Sequence, residues 1–234
     1  MWERIYTMNN NKVKIKEIFA SIQGEGPVVG YKQIFIRFCS CNLKCQYCDT
    51  DFNELEATEY SPNELFEYIQ TNFELNSIHS ISLTGGEPLL SVEFLKEFLP
   101  LIKNKTKIYL ETNATLTQNL IPLKNYIDII SADIKLKSST GLDTIALHNK
   151  FFEQCKGIET FAKIVFDENI TAEEIDNCIT LANSYNIELV LQPKMIDDKM
   201  SVTSDFCNEI LDKFITQHKN TRLIPQVHKF INVR

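Results

Sequence analysis

Three cysteines lie on one short segment near the beginning of the chain: Cys41, Cys45 and Cys48. The segment directly follows residues 33–39, whose Ile and Phe side chains predict a β-strand. Three thiolates on one loop can hold three irons of a 4Fe–4S cluster and leave the fourth iron without a protein ligand. An open iron is a place where a small molecule binds and reacts, so the spacing predicts an enzyme with its cluster at the end of a strand.

A zinc site is the alternative interpretation of this loop, with Cys39 as the fourth ligand. Structural zinc is usually held by two separated ligand pairs, and no second Cys-x2-Cys or His pair follows in the sequence. The spacing therefore favours the cluster, and Cys39 is expected to face the core as a strand residue. The other cysteines are scattered and are expected to pack as small apolar residues: Cys155, Cys178 and Cys207.

Length, charge and hydropathy limit the class of protein. The 234 residues suit a single domain over 1–234, and the hydrophobic share of 44% suits a soluble globular protein. A net charge of −7 argues against a nucleic-acid partner, because such partners usually require a basic face. No apolar run reaches the ~18 residues of a membrane span, and the beginning does not resemble a signal peptide. We therefore expect a cytoplasmic protein without disulfides.

Stretches typical of strands alternate with stretches typical of amphipathic helices. Strands are predicted at residues 13–20, 33–39, 80–83, 107–111, 126–132, 161–166, 187–192 and 222–226. Helices are predicted after Ser61, Ser91 and Thr171 and over residues 202–218, with capping boxes at Ser61 and Thr171. This alternation predicts an α/β fold of parallel strands with helical crossovers. About six core strands follow the first. A complete TIM-type barrel needs eight parallel strands, so we expect an incomplete barrel.

Distinctive residues follow five of the predicted strands. The cysteine loop follows one strand, and the other segments are Gly85-Gly86-Glu87-Pro88, Thr112-Asn113, Asp133 with Lys135, and Gln192-Pro193. Because the carboxyl ends of parallel strands meet at one edge of a sheet, we expect these residues to form one composite site.

The cysteine spacing, with Tyr47 before the third cysteine, resembles the radical S-adenosylmethionine (SAM) superfamily. The Gly-Gly-Glu-Pro turn at residues 85–88 is similar to the second motif of that superfamily. The resemblance implies an open iron that chelates SAM, one-electron cleavage of the sulfonium, and a deoxyadenosyl radical that abstracts hydrogen. Two adjacent glycines are expected to let the amino group of SAM approach the backbone closely.

Two further segments narrow the resemblance. Residues 19–27, which contain Ser-Ile-Gln-Gly-Glu-Gly, and the triplet Cys48-Asp49-Thr50 are similar to the 7-carboxy-7-deazaguanine synthase family, as is the ending at 225–230. That family's reaction, as the resemblance implies it, converts 6-carboxy-5,6,7,8-tetrahydropterin to 7-carboxy-7-deazaguanine with loss of ammonia. The reaction belongs to queuosine and 7-deazapurine biosynthesis and is assisted by Mg²⁺. The resemblance also implies a homodimer, with a flavodoxin or ferredoxin as electron donor.

The resemblance assigns roles position by position. Cys41, Cys45 and Cys48 would hold the cluster as the catalytic centre, and Thr50 would ligate Mg²⁺. Arg37 would hold the substrate carboxylate, for which its planar fork is suited. The expected substrate-binding residues are Ile22, Gln23, Gly24, Arg37, Thr84 and Arg234, the last through its free carboxylate. The residues expected beside SAM are Tyr47, Cys48, Asp49, Gly86, Ser131, Ala132, Asp133, Gln192, Pro193, Lys194 and Met195.

The sequence departs from the family pattern at a few places. Ser40 stands where Gly often precedes the first cluster cysteine, and Ala114 stands where Gly is usual, which suggests that the backbone at Ala114 is not in a Gly-only conformation. Residues 131–135, Ser-Ala-Asp-Ile-Lys, resemble the Asp-x-Lys of glycyl-radical activating enzymes. An activase that acts on a protein therefore stays an alternative, as does a non-catalytic iron–sulfur or zinc protein.

Several single residues also have a purely structural interpretation. Arg37 could be an exposed residue of an edge strand, and Thr50 could cap the following turn. The polar side chains of Ser131 and Asp133 could merely end a strand, and residues 192–193 could form only a turn. The histidines His79, His148 and His218 are expected at the surface.

Overall fold

The computed structural model describes residues 11–45, 48, 54–196 and 198–233, and eleven strands and eight helices lie in this part of the chain. The strands are β1 (Val13–Ile22), β2 (Lys32–Phe38), β3 (Thr58–Tyr60), β4 (Ser80–Gly85), β5 (Lys107–Thr112), β6 (Ile129–Asp133), β7 (Glu159–Phe166), β8 (Glu188–Pro193), β9 (Met195–Ile196), β10 (Lys199–Met200) and β11 (Thr221–Leu223). The helices are α1 (Pro62–Asn72), α2 (Val92–Ile102), α3 (Thr117–Leu120), α4 (Lys137–Thr140), α5 (Ile145–Gln154), α6 (Ala172–Tyr185), α7 (Ser204–Ile215) and α8 (Val227–Phe230). Short 3₁₀ turns occupy Leu75–Ser77, Pro88–Ser91 and Ile121–Tyr126.

Nine of these strands form one sheet in the order β11-β8-β7-β6-β5-β4-β2-β1-β3. Seven neighbours, from β11 to β2, are parallel, whereas β1 pairs antiparallel with β2 and β3. Within the described residues the two ends of the sheet, β11 and β3, are not hydrogen-bonded to each other. The predicted α/β architecture of an open, incomplete barrel is confirmed.

Local signals fix the beginnings of two helices as predicted. At α1 the Ser61 hydroxyl accepts the Glu64 N–H at 3.3 Å, and the Glu64 carboxylate accepts the Ser61 N–H at 2.8 Å. Thr171 and Glu174 form the same reciprocal capping box at α6. Ser91 does precede α2, but its side chain makes no capping hydrogen bond there. Helix α5 was not predicted from the sequence.

The two faces of the parallel strands carry different residues. The outward side chains pack with the helices in the main core, which contains most of the buried Ile, Leu and Phe residues. On the inner face a small apolar cluster fills the base of the barrel: Val28, Tyr109, Ile129, Phe161 and Val190. Because side chains alternate along a strand, the next inward positions are two residues further on: Glu111, Ser131, Lys163 and Gln192. A polar layer therefore lies above the apolar base, at the carboxyl ends of β5 to β8.

The expectations for three single residues, Ala114, His148 and His218, are wrong. Ala114 has a φ of 54°, the left-handed region that favours glycine, because the chain turns sharply after β5. The imidazoles of His148 and His218 are buried and not at the surface. Both rings are internal because they contact main-chain carbonyls of distant loops: Ala114 for His148 and Ile187 for His218.

No helix among the described residues is long and apolar enough to cross a membrane.

Candidate active site

The three motif cysteines line one cavity at the carboxyl edge of the parallel strands. The Cys41 sulfur accepts hydrogen bonds from the Leu43 N–H at 3.5 Å and from the Asn113 amide at 3.8 Å. Burial raises the pKa of the Cys41 and Cys45 thiols. Among the residues that the structure describes, no three His, Cys, Asp or Glu side chains are grouped in the way that one metal ion requires. Cys39 is buried beside β1, where its N–H donates to the carbonyl of Lys14.

The paired glycines allow the cysteine loop to pack against the turn after β4. A Cβ at Gly86 would overlap the carbonyl oxygen of Ser40, and a Cβ at Gly85, which has a φ of 102°, would meet the backbone of Phe38. In place of side chains there are two hydrogen bonds, from the Gly86 N–H to Phe38 O and from the Glu87 N–H to Ser40 O, both 2.9 Å. The glycines thus position the loop itself, in addition to the backbone access predicted for SAM.

Glu87 joins this turn to the end of β5. Its buried carboxylate accepts hydrogen bonds from the Leu89 N–H at 3.0 Å, the Thr112 hydroxyl at 2.9 Å and the Asn113 N–H at 2.8 Å. Burial raises the pKa of Glu87 to about 7, although these three donors oppose the rise. Since the Asn113 amide reaches the Cys41 sulfur, Glu87 holds the residue that donates to the expected cluster ligand.

His148 joins the loops that follow β5 and β6. Its Nε2 accepts the N–H of Lys135 at 3.1 Å, so the proton lies on Nδ1, which donates to the carbonyl of Ala114 at 3.3 Å. Burial lowers the pKa of His148 to about 4, and the ring is neutral at pH 7. Lys135 lines the cysteine cavity and Ala114 follows Asn113, so one imidazole fixes two walls of the site.

A chain of alternating charges runs from this cavity across the inner face of the sheet. Lys135 contacts Asp133 at 2.7 Å, Asp133 contacts Lys163 at 3.3 Å, Lys163 pairs with Glu25, and the Gln226 amide donates to Glu25 at 2.7 Å. Burial disfavours the Lys163 ammonium, but the carboxylates around it raise its pKa well above normal. Burial likewise opposes ionised Glu25, but Lys163 and Gln226 lower its pKa below normal.

A second cavity adjoins the first. It is lined by Phe19, Ile22, Gln23, Gly24, Glu25, Phe35, Arg37, Thr84, Glu111, Gln226 and His228. Four of these residues also line the cysteine cavity and form a shared wall: Glu25, Thr84, Glu111 and Gln226. Within this wall the Glu111 carboxylate is held in place, because it accepts hydrogen bonds from Gln23 at 3.1 Å, from Ser82 at 3.0 Å and from Thr84 at 2.8 Å. Burial raises the pKa of Glu111.

Arg37 contributes a guanidinium cation to the lining of the second cavity. It lies on β2 between β1 and β4, so it is not on an edge strand. Its guanidinium lies 3.5 Å from the Glu17 carboxylate and 5.1 Å from the centre of the Phe19 ring. These contacts hold the planar fork at the wall of the cavity, where a carboxylate could bind in bidentate fashion.

The cysteine cavity offers groups that suit SAM. Backbone at Gly85 and Gly86, the Asp133 carboxylate and the Gln192 amide all line it, together with Lys194 and Met195. The Gln192 Oε1 atom is buried and has no hydrogen-bond partner among the described residues, so a donor on a bound ligand would satisfy it. Three other residues expected beside SAM, Ser131, Ala132 and Pro193, are buried within β6 and β8.

The remaining predicted residues lie outside the described part of the chain. They are Tyr47, Asp49, Thr50 and Arg234. Their assigned roles stay predictions.

Comparison with known proteins agrees with this geometry. The Radical SAM superfamily matches residues 35–192, from β2 to β8. The chain is a member of that superfamily. A 7-carboxy-7-deazaguanine synthase from Archaeoglobus fulgidus is 32% identical over 95% of this chain and 100% of its own length. Another 7-carboxy-7-deazaguanine synthase, from Geobacter sulfurreducens, is 33% identical over 96% of this chain and 99% of its own. The chain belongs to the 7-carboxy-7-deazaguanine synthase family, and the family predicted from the sequence is confirmed.

Solved structures show the same fold. QueE from Escherichia coli superposes with a TM-score of 0.64 at 20% identity and covers 97% of this chain and 99% of that one. SuiB from Streptococcus suis bound to S-adenosylmethionine gives a TM-score of 0.57 at 20% identity, over 81% of this chain and 46% of that one. At these identities the likeness concerns the fold alone.

Sequence reasoning missed several polar residues of the two cavities. Glu25 and Gln226 lie inside segments that are singled out as motifs, and Glu111 ends the predicted strand at residues 107–111, but no role was assigned to them. Lys163 lies in the predicted strand at residues 161–166, which is otherwise apolar, and Lys is seldom buried without a partner. A lone Lys within such a strand was therefore the available signal for a buried ion pair.

Proposed function

We propose that this protein is a radical SAM enzyme that converts 6-carboxy-5,6,7,8-tetrahydropterin to 7-carboxy-7-deazaguanine with loss of ammonia, in queuosine or 7-deazapurine biosynthesis. One observation carries the proposal. A cavity lined by the three cysteines and paired glycines shares a wall with a cavity lined by Arg37 and buried hydrogen-bonding side chains. A reactive cofactor and a polar heterocycle can therefore lie next to each other, on either side of the shared wall.

The first cavity suits the cofactors of the superfamily. Cys41, Cys45 and Cys48 would hold the 4Fe–4S cluster, and hydrogen bonds from Leu43 and Asn113 to the Cys41 sulfur would stabilise the thiolate form. When bound, the cluster and SAM supply one-electron cleavage of a sulfonium bond and abstraction of a hydrogen atom.

Residues on the strand ends would orient SAM in that cavity. The backbone of Gly86 and the Asp133 carboxylate can accept hydrogen bonds from its amino and hydroxyl groups. The Gln192 Oε1 atom, which has no hydrogen-bond partner among the described residues, offers a further acceptor. We also assign Ser131, Ala132, Pro193, Lys194 and Met195, with Tyr47 and Asp49, to this part of the site.

The second cavity suits a flat, anionic, nitrogen-rich substrate. Arg37 would bind the carboxylate of the pterin, and the aromatic ring of Phe19 beside it would flank the heterocycle. Gln23 and Glu111 are fixed by hydrogen bonds to each other and to β4, so their positions exist before the substrate binds. A fixed wall lowers the entropic cost of orienting the reacting carbon.

Other features are proposed from the family resemblance. Thr50 would ligate Mg²⁺ through its hydroxyl oxygen, and Arg234 would approach the pterin. A flavodoxin or ferredoxin would supply the electron. We propose a cytoplasmic homodimer of chains that each form one domain over residues 1–234, in which the substrate is a small molecule and neither nucleic acid nor membrane takes part.

An anaerobic turnover assay tests the proposal. The cluster is reconstituted and reduced, SAM, Mg²⁺ and 6-carboxytetrahydropterin are added, and mass spectrometry follows 7-carboxy-7-deazaguanine. We expect many equivalents of product for each SAM, because the resemblance implies that SAM is regenerated. Cleavage of SAM without any deazaguanine would retain the superfamily and reject the substrate. SAM cleavage that requires a protein partner would favour the activase.

The same assay tests the role of Arg37. Arg37→Ala should raise KM for the pterin by a factor of roughly 10–150, the equivalent of ~1.5–3 kcal/mol for a charged hydrogen bond, while the cluster loads normally. Arg222→Ala is the matched control, because Arg222 on β11 pairs with Glu188 on β8, and neither residue lines either cavity. An unchanged KM in Arg37→Ala would exclude Arg37 as the carboxylate partner.

A further inference from the structure

Lys163 occupies the boundary between the two cavities. Its side chain is 7% exposed and contacts two carboxylates, Asp133 at 3.3 Å and Glu25. Asp133 lines the cysteine cavity, whereas Glu25 belongs to the wall that both cavities share. One cation is therefore bound at once by a group on the SAM side and a group on the substrate side.

The fold specifies this arrangement from two directions. The register of β6 and β7 places Asp133 directly opposite Lys163. The loop after β1 folds over the inner face of the sheet, where Gly26, with a φ of 68°, packs so closely that a Cβ would lie 2.6 Å from the Phe161 ring. This close packing brings Glu25 over Lys163, and the Gln226 amide holds the other Glu25 oxygen at 2.7 Å.

A buried cation that contacts two carboxylates can couple their positions, so that fixing one carboxylate also restricts the other. Charge interactions are strong in a site that excludes water, so any ligand that fixes Asp133 also fixes Lys163 and, through it, Glu25. The second ligand then finds its partner already ordered and loses less conformational entropy on binding. Such coupling is reciprocal between the two ligands.

We infer that Lys163 is a positioning residue that couples the binding of SAM to the binding of the pterin, through Asp133 on one side and Glu25 on the other. This inference rests on the proposed function, because it takes the pterin as the ligand of the second cavity. Lys163 itself acts through its two carboxylate partners.

Binding measurements on the cluster-loaded protein test the inference. With the cluster kept oxidised so that no turnover occurs, Kd for SAM is measured with and without saturating 6-carboxytetrahydropterin. Wild type is expected to bind SAM more tightly with the pterin, by a factor within the ~5–150-fold range of site-to-site coupling. Lys163→Met, which keeps the unbranched chain and removes the charge, is expected to reduce that factor to below about 2.

The ratio of the two Kd values separates coupling from a structural role. A residue that only supports the fold would weaken SAM binding in both conditions and leave the ratio unchanged. Lys103→Met is the matched control, because Lys103 forms a half-buried ion pair with Asp128 at 2.9 Å that is remote from both cavities. Its ratio should equal that of wild type.

A second variant covers the case in which Lys163→Met does not fold or load its cluster. Glu25→Ala removes the carboxylate, leaves Lys163 paired with Asp133 and breaks the connection to the substrate side, so it should abolish the coupling as well. A wild-type ratio near 1, or a wild-type ratio retained in either variant, overturns the inference. If the pterin does not bind the wild-type protein at all, both the proposed substrate and the inference are rejected. If the pterin binds but the variants keep the wild-type ratio of the two Kd values for SAM, only the role of Lys163 is rejected.

Discussion

His148 gives the protein a specific dependence of stability on pH. Its Nε2 atom accepts the Lys135 N–H at 3.1 Å. A proton on Nε2 would remove this acceptor and face the hydrogen of the Lys135 N–H. Burial opposes the charge as well, and the pKa falls from an ordinary value of 6.5 to about 4. The unfolded chain therefore takes up a proton near pH 6.5, but the folded chain does so only near pH 4.

The sign and size of the effect follow from this difference. Where the unfolded state binds more protons than the folded state, the free energy of unfolding falls as the pH falls. The contribution of neutral His148 to the free energy of unfolding is fully present above pH 6.5 and is lost as the pH drops from 6.5 towards 4. It amounts to about 3 kcal/mol over the whole window, and to about 1.4 kcal/mol between pH 7.5 and pH 5.5.

Urea unfolding of wild type and His148→Gln at pH 7.5 and pH 5.5 measures this term. The amide oxygen of Gln can accept the Lys135 N–H, but the Ala114 carbonyl loses its donor, so the variant is expected to be about 1–3 kcal/mol less stable at pH 7.5. At pH 5.5 the difference in free energy of unfolding between wild type and the variant should be smaller by about 1.4 kcal/mol, because wild type loses stability as His148 titrates and Gln does not titrate. His218→Gln reports the general cost of removing a buried imidazole. A gap of equal size at both pH values would refute the reasoning.

Three further outcomes are expected. Gly86→Ala should lower the iron content after reconstitution, because its methyl group would overlap the Ser40 carbonyl; full iron loading would contradict that packing. Ser40→Gly should stabilise the protein by about 0.5–1 kcal/mol in urea unfolding, since Ser40 is exposed with a φ of 67°, and no gain would mean that the strain is relieved elsewhere. Thr50→Ala should keep the cluster but require more Mg²⁺ for turnover; an unchanged Mg²⁺ titration would exclude Thr50 as a ligand.

Much of the fold was predictable because its signals are local. The capping boxes at Ser61 and Thr171 involve residues three positions apart, and both occur in the structure. Alternating strands and helices gave the parallel sheet, and the positions of distinctive residues at strand ends gave one composite site. The antiparallel direction of β1 was not predicted, because direction depends on pairing with distant strands.

The sequence by itself determined the chemistry of the site, because the spacing of Cys41, Cys45 and Cys48 and the paired glycines at the end of β4 are defined within a few residues. Only the tertiary structure decided which other groups share that site. Lys163 meets Glu25 across 138 positions of sequence, and His148 reaches Ala114 across 34. Such pairs depend on sheet register and on how loops fold over the barrel. No local pattern encodes that register, since it results from the packing of the whole sheet.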